Sequence, residues 1–152
     1  MAKTDATAWL TEEQQQTWRN YLLGVARIDG YLDQDLRRHG LDLGEYEILV
    51  CLSEAEGRRL RMSELADLVH QSRSRLTHAV ARMEKSGWVV RGSAPEDRRG
   101  VVAQLTPDGY ALLERAAPSH VSAVRRILVD NVSQEDFAAL GRIMRAVLAV
   151  AE

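Results

Sequence analysis

Residues 63–87 read SELADLVHQSRSRLTHAVARMEKSG, and this stretch decides the fold. Its first seven residues have an amphipathic pattern typical of a short helix, and a polar turn over residues 70–72 follows. Apolar positions then recur at the helical spacing from Arg73 to Ser86, and glycine at position 87 is a common helix end. A helix, a tight turn and a second helix predict a helix-turn-helix, in which the second helix enters the major groove of DNA.

A basic hairpin is predicted directly after this motif. Two apolar segments, WVVR at residues 88–91 and VVAQL at residues 101–105, are typical of strands. The sequence EDRRG lies between them at residues 96–100, so two arginines would occupy the tip of the hairpin. A hairpin with a basic tip behind a helix-turn-helix indicates a winged helix-turn-helix.

A long helix is predicted before this middle segment. Thr11 and Gln14 have the spacing of a capping box, and the helix that they begin continues to about Gly40. A second helix is expected over residues 45–55, and residues 60–62 are a candidate first strand. The apolar residues of the first helix are three or four positions apart: Trp18, Leu22, Val25, Ile28, Leu32 and Leu36.

Two further helices are predicted after the hairpin. Thr106 and Pro107 indicate the start of a helix that extends to about Val129, with a kink or break at Pro118 because proline removes a helical donor. Ser133 caps the last helix. The apolar side of that helix carries Phe137, Leu140, Met144, Val147 and Leu148.

We therefore predict a mostly α protein with a small β-ribbon. A winged helix-turn-helix DNA-binding domain would span residues 41–106, flanked by an N-terminal dimerisation helix over residues 1–40 and C-terminal dimerisation helices over residues 107–152. Neither terminal helix has an obvious partner within the winged domain, so we expect the helices of two copies to interdigitate across a two-fold axis. An ordinary monomeric helical bundle is the alternative.

Charge is concentrated where this fold would contact nucleic acid. The whole chain has 20 basic and 22 acidic residues, a formal net charge of −2. Residues 70–99 contain seven of the basic residues and three of the acidic ones, which gives this segment +4 and the remainder −6. A basic segment in an acidic chain is the pattern expected for DNA contact.

The composition also argues against three classes of protein: membrane-spanning, secreted and catalytic. No apolar run approaches the ~20 residues that span a bilayer, and the first five residues lack the apolar core of a secretory signal. We therefore expect no membrane partner and a cytoplasmic, nucleoid-associated protein. Cys51 is the single cysteine, and its apolar helical surroundings favour a buried core residue over a thiol sensor. Because no nucleophile–base set, metal-ligand cluster or phosphate loop is present, we predict no catalytic residue, metal or cofactor.

The second helix of the motif divides into a buried and a polar face. Leu76, Val80 and Met83 share the apolar face. Ser72 is predicted to cap the helix, and its turn amides could bind a phosphate. Arg82 and Lys85 lie too far along the helix for base contact, so phosphate binding is predicted for both, with simple solvation as the alternative for Lys85. Base contacts are predicted for the first turns: Arg73, Ser74, Arg75, Thr77 and His78.

The hairpin tip is predicted to reach the minor groove. Pro95 and Gly100 bracket a tight loop, so Arg98 and Arg99 would stand at a thin tip and enter a groove whose potential is most negative over A·T-rich tracts. Asp97 is predicted to pair with Arg99 and orient its guanidinium. The alternative is a charged loop that serves solubility alone.

Several short motifs together carry a family resemblance. They are MSELA at 62–66, SRS at 72–74, RMEKSG at 82–87, PEDRRG at 95–100 and LTPDG at 105–109. With GLDL at 40–43 and YEIL at 46–49, they resemble the MarR family of bacterial transcriptional regulators over nearly the whole chain.

The resemblance implies an obligate homodimer, built from the first, fifth and sixth helices, on a pseudo-palindromic double-stranded operator. It implies that Arg99 is the minor-groove arginine and that Asp97 is its orienting partner. Many members repress transcription until a small aromatic or phenolic ligand releases them, whereas others sense oxidants through a cysteine near the start of the first helix, where this chain has none. His70 stands where the family often has glycine, which implies either a less strained turn or a phosphate contact.

We therefore predict a sequence-specific dimeric DNA-binding transcriptional regulator, a repressor released by a small phenolic or aromatic ligand. Arg27, His39 and Tyr46 lie near the predicted junction of the first two helices and are candidate contacts for that ligand. A winged-helix module for protein–protein contact without effector response is the alternative, which the basic wing and polar helix face disfavour. A small enzyme is disfavoured because no catalytic set is present.

Overall fold

The computed structural model describes residues 7–69, 71–94 and 97–150; for residues 94 and 97–99 it describes the backbone alone. This part of the chain is mostly helical, with one small antiparallel sheet, which confirms the predicted fold class. The helices are α1 Glu12–Leu36, α2 Leu43–Glu54, α3 Met62–Leu68, α4 Arg73–Lys85, α5 Pro107–Ile127 and α6 Gln134–Leu148. The strands are β1 Arg59–Arg61, β2 Val89–Ala94 and β3 Asp97–Leu105.

Side-chain caps begin α1, α4, α5 and α6 at the positions that the sequence predicts, whereas α2 begins at Leu43, two residues before its predicted start. The Thr11 hydroxyl accepts a hydrogen bond from the Gln14 amide at 3.2 Å, which completes the capping box of α1. Thr106 accepts from the Gly109 amide at 3.0 Å, and Pro107 is the first residue of α5. Such caps satisfy amides that have no partner inside the helix, so these local signals fix where helices begin.

The sheet joins the wing to the helix-turn-helix. Its strand order is β1-β3-β2, and β3 pairs antiparallel with both neighbours, with Leu60 and Arg91 each opposite Ala103. The start of α5 lies close against the beginning of the wing. A Cβ added to Gly109 would stand only 2.1 Å from the Trp88 carbonyl oxygen. Glycine at position 109 thus permits the close approach of α5 to the sheet.

One apolar core connects the winged domain to α1 and α5. Leu36 of α1, Leu49 of α2 and Leu65 of α3 are fully buried, together with Val80 and Met83 of α4. Burial of this face of α4 confirms the predicted apolar stripe. The opposite face of α4 is therefore fixed outward by the packing of the core.

The expected break at Pro118 is wrong, because α5 continues through this residue to Ile127, whereas the alternative of a kink there stays a prediction. Proline removes one helical hydrogen bond, but Ala116 and Ala123 on either side of it are buried. Burial of these neighbours holds the helix together across the missing bond. Pro118 itself is exposed, so its ring meets no core side chain.

The two halves of α1 differ in environment. Leu32 and Leu36 in the second half are buried, and Leu36 belongs to the core of α2, α3 and α4, which corrects the expectation that this helix has no partner within the winged domain. In the first half, Trp18 and Leu22 are 53% and 49% exposed. Helix α6 has no buried residue. Apolar surface is thus left uncovered on the first half of α1 and on α6.

None of the helices in the described ranges combines the length and the apolar character that crossing a bilayer requires. Cys51 is half-buried and packs against the hydrophobic core, in keeping with the expected core position although its burial is incomplete.

Candidate nucleic-acid interface

The first two turns of α4 present the predicted base-contacting residues to solvent. Ser72 caps the helix, its hydroxyl accepting a hydrogen bond from the Arg75 amide at 3.3 Å. The Thr77 hydroxyl donates to the Arg73 carbonyl at 2.9 Å, which fixes the threonine side chain along the helix. The exposed residues are Arg73, Ser74, Arg75, Thr77 and His78.

Two arginines on this face carry charge that nothing in the described chain neutralises. Arg73 and Arg75 form no ion pair with any residue for which the structure gives side chains. A free guanidinium at the start of a recognition helix can donate two hydrogen bonds to O6 and N7 of guanine, or bind a phosphate.

Arg82 has intramolecular partners that the sequence analysis did not predict. Its Nη2 lies 3.0 Å from Glu45 Oε1 and 3.1 Å from Asp42 Oδ2, and its Nε donates to Glu45 Oε1 at 3.2 Å. The guanidinium therefore faces two carboxylates of α2. The signal that could have identified them is Asp42-x-x-Glu45, a capping-box spacing visible in the sequence.

An ion pair connects α4 to the wing. Arg91 of β2 donates from Nη2 to Glu84 Oε2 at 2.8 Å and from its backbone amide to Glu84 Oε1 at 3.1 Å. The bonds to Arg91 hold the pKa of the Glu84 carboxyl below its usual range. The turn between them is closed by the Trp88 amide, which donates to the Met83 carbonyl at 3.0 Å. Helix α4 and the base of the wing thus form one connected unit.

The predicted contacts at the wing tip remain predictions. The pairing of Asp97 with Arg99, the exposure of Arg98, the role of Pro95 and the contact suggested for His70 fall on residues or side chains outside the described part of the chain. The structure describes β3 as starting at Asp97, which corrects the expectation of a loop between Pro95 and Gly100, because ladder pairing reaches Ala94 and Asp97 and so places both arginines in the strand.

A groove of about 1000 Å³ is lined by residues of α1, α2, α4 and α5. Tyr46 is the only one of the three predicted ligand contacts on its wall. Arg27 is exposed outside the groove, and His39 Nε2 lies 2.9 Å from the Ser119 hydroxyl, in a contact between two parts of the chain. The groove is lined by Asp29, Asp33, Arg37, Asp42, Tyr46, Glu47, Cys51, Gln71, Arg75, His78, Arg82 and His120, among others.

Two rings meet on the inner wall of this groove. The centroids of Tyr46 and His120 are 4.3 Å apart, and within the described chain the buried Nδ1 of His120 has no hydrogen-bond partner. Burial lowers the pKa of His120, an effect that the nearby Asp35 carboxylate partly opposes. Burial likewise raises the pKa of the Tyr46 phenol. Both rings are therefore neutral at physiological pH.

Cys51 also lines the groove, but its thiol is not activated. Burial raises its pKa, and Glu47 and Glu54 raise it further because they disfavour a second negative charge nearby. A reactive cysteine needs an electropositive environment that stabilises the thiolate. These surroundings therefore do not favour a thiol switch. No group of three or more potential ligands that could bind a metal ion occurs among the residues that the structure describes.

The order of elements and the exposed basic face of α4 define a winged helix-turn-helix protein. Residues 39–100 match the model of the MarR family. The chain is 32% identical over 120 residues to the HTH-type transcriptional regulator PecS of Dickeya dadantii, covering 76% of this chain and 72% of PecS. It is 32% identical over 97 residues to the HTH-type transcriptional repressor YetL of Bacillus subtilis, covering 64% of this chain and 58% of YetL.

Among solved structures, the chain is similar to Sco3205, a MarR family transcriptional regulator from Streptomyces coelicolor in complex with DNA. The two are 46% identical with a TM-score of 0.90, covering 95% of this chain and 91% of Sco3205. The chain belongs to the MarR family.

Proposed function

We propose that this chain is a sequence-specific, homodimeric transcriptional regulator that binds a pseudo-palindromic operator in double-stranded DNA. The observation that carries the proposal is the pair of exposed arginines, Arg73 and Arg75, which have no ion-pair partner in the described chain and stand on the first turn of α4. The similarity to Sco3205, whose structure is in complex with DNA, supports DNA binding by this chain.

Base reading is assigned to the start of α4. Arg73, Ser74, Arg75, Thr77 and His78 would contact base edges, and Ser72 would bring its turn against a phosphate. Asp97, Arg98 and Arg99 of the wing would act in the adjacent minor groove, where a narrow A·T-rich tract attracts arginine. The ion pair between Glu84 and Arg91 supports this division, because it connects the wing to the reading helix.

The uncovered apolar surfaces support a homodimer. Trp18 and Leu22 of α1, and Ile143 and Val147 of α6, are between 49% and 59% exposed in one copy of the chain. Large apolar side chains left exposed together on a helix face indicate an interaction site. A second copy would cover it and would place two α4 helices in successive major grooves, roughly 34–36 Å apart.

Repression relieved by a small aromatic ligand is the regulatory mode that we propose. Its support is the groove beside α4, whose wall carries the neutral rings of Tyr46 and His120 and the guanidinium group of Arg75. The similarity to YetL, which is named a repressor, favours repression. A ligand changes DNA binding only if it binds one conformation of the dimer better than the other.

A gel-shift experiment tests the proposal. The probe is the DNA upstream of the chain's own coding sequence, with a shuffled duplex of the same base composition as the control. We expect a discrete complex on the upstream DNA at moderate salt, and its loss when salicylate is added. Equal binding to the shuffled duplex would contradict sequence-specific regulation, and a complex indifferent to salicylate and related phenols would contradict the aromatic effector.

A further inference from the structure

The first turn of α2 and its cap contact α1, the turn before α4 and α4 itself. The Leu43 amide donates to Asp33 Oδ1 of α1 at 3.1 Å. The Gly44 carbonyl accepts from Gln71 Nε2 at 3.2 Å, in the turn before α4. Asp42 and Glu45 bind Arg82, in the third turn of α4. The turn before α4 and the third turn of α4 are thus tied to Asp42, Gly44 and Glu45 at the start of α2, and Leu43 between them is tied to α1.

The ion pairs of Arg82 provide a cation for the buried carboxylate of Glu45. Glu45 is 7% exposed; its Oε2 accepts from the Asp42 amide at 3.1 Å and its Oε1 accepts from Arg82. Asp42 completes the capping box by accepting from the Glu45 amide at 2.7 Å. Without Arg82, Glu45 would be a buried charge with no cation beside it, an arrangement that costs far more than an exposed pair gains.

The charge at this point argues against the phosphate contact that the sequence predicts for Arg82. Asp42, Glu45 and Arg82, here called the cap cluster, carry a formal charge of −1 together, and the guanidinium already donates three hydrogen bonds to the two carboxylates. Affinity for phosphate comes largely from cations that release counterions from the DNA. A cluster with net negative charge offers little of that effect.

We propose that Arg82 is a positioning residue. It holds α4 at a fixed place relative to the start of α2, and through Asp33 relative to α1, so that operator reading depends on Asp42 and Glu45 although neither touches DNA. This inference rests on the proposed function. It adds that the residues at the start of α2 hold α4, which is proposed to read DNA, in a fixed position relative to α1, which is proposed for dimerisation.

The glycine at position 44 is consistent with close packing between the start of α2 and the turn before α4. A Cβ at this position would lie 2.6 Å from Gln71 Nε2, so any larger residue would displace the Gln71 side chain that holds the turn before α4. The site therefore requires a short distance between α2 and that turn, which a larger residue would lengthen.

The test compares Arg82→Lys with Arg82→Ala, using the duplex that the wild-type protein selects from a random-sequence library and a shuffled duplex of equal length. Lysine keeps a positive charge for a phosphate but cannot donate to both carboxylates in the fork geometry of arginine. We expect both variants to bind the selected duplex roughly tenfold more weakly, with affinity for the shuffled duplex at low salt and the salt slope unchanged. Arg115→Ala, which removes an exposed charge from α5 and breaks no ion pair in the described chain, is the control.

A double-mutant cycle with Glu45→Ala separates positioning from other roles. Positioning predicts that the double variant binds no more weakly than the weaker single variant, because both changes break one interaction. A phosphate contact predicts instead that Arg82→Lys keeps wild-type affinity, that Arg82→Ala lowers the salt slope by about one, and that the two losses multiply. A merely structural role would lower binding to both duplexes in proportion to the folded fraction, which thermal unfolding measures.

The outcomes separate a failure of the proposed function from a failure of the positioning role alone. If the wild-type chain selects no duplex, the proposed function fails, and the positioning role fails with it. If it selects a duplex that the Arg82 variants bind equally well, the positioning role alone is overturned.

Discussion

Arg91 on the first strand of the wing and Glu84 on the recognition helix form a forked ion pair, with Nε and Nη2 3.0 Å and 2.8 Å from the same carboxylate oxygen. The backbone amide of Arg91 donates to the other carboxylate oxygen. The pair therefore fixes both the side chain and the strand, and it couples the orientation of the wing to that of the helix.

Glu84→Gln should weaken operator binding several-fold while changing thermal stability little, because exposed ion pairs contribute weakly to stability. The effect should come from the wing, so the loss should be largest on operators with A·T-rich flanks. Gel shifts and thermal unfolding measure the two quantities. Glu114→Gln, the same substitution at an exposed position of α5, is the control. Equal losses for both variants would contradict the coupling.

The ion pair also has a predicted pH dependence. Because the pKa of Glu84 is lowered in the folded protein, the contribution of the pair is present above the ordinary glutamate pKa of about 4.3 and is lost as pH falls through the lowered value. The difference between wild type and Glu84→Gln in operator binding should therefore stay constant from about pH 8 to about pH 5. A difference that disappears within this range would show that the pair does not act as described.

Arg75→Ala should relax base preference. Its free guanidinium is assigned to a base edge, and a good bidentate contact to guanine contributes about 1–3 kcal/mol of discrimination. Competition between the selected duplex and single-base variants of it should locate one position per half-site at which the variant protein no longer discriminates. A uniform loss at every position, with a lower salt slope, would instead make Arg75 a phosphate contact.

Arg99→Ala should weaken binding mainly where A·T-rich tracts flank the major-groove sites, because a narrow minor groove concentrates negative potential. The measurement compares affinities for duplexes that share the central sequence but carry A·T-rich or G·C-rich flanks. Asp97→Asn should show a smaller loss with the same flank dependence if Asp97 orients the guanidinium. Affinity of Arg99→Ala equal to wild type on both duplexes would refute the assignment of the wing.

His120→Phe should remove a sensitivity to acid. Burial lowers the pKa of His120 in the folded chain, so the unfolded chain takes up the proton first, and stability falls as pH drops below the ordinary histidine value of about 6.5. Phenylalanine keeps the ring against Tyr46 and removes a buried nitrogen that has no partner in the described chain. The variant should match wild type near pH 8 and lose less stability on acidification. Urea unfolding at several pH values tests this; parallel profiles would contradict it.

Local signals made most of the fold predictable from sequence. Thr11, Ser72 and Thr106 cap helices through bonds to residues three positions away, which one short window of sequence contains. The apolar spacing of Leu76, Val80 and Met83 likewise predicted the buried face of α4 correctly. Pro118 shows the limit of local rules, since burial of the alanines on either side overrides its effect on the helix.

The sites were less predictable because their contacts are distant in sequence. Arg82 binds carboxylates 37 and 40 residues away, and an arginine on a polar helix face has the same local pattern whether it is free or paired. The groove likewise draws its wall from α1, α2, α4 and α5, so residues chosen for being near one junction, such as Arg27 and His39, need not line it. Only Tyr46, whose ring packs against His120 of α5, does.

The most direct test of the central claim is the mass of the protein–DNA complex by light scattering, measured on the selected duplex and on its shuffled counterpart. We predict two chains per selected duplex, assembled from a dimer that exists without DNA, and no stable complex with the shuffled duplex at moderate salt. A single chain on the DNA, or equal complexes with both duplexes, would contradict it.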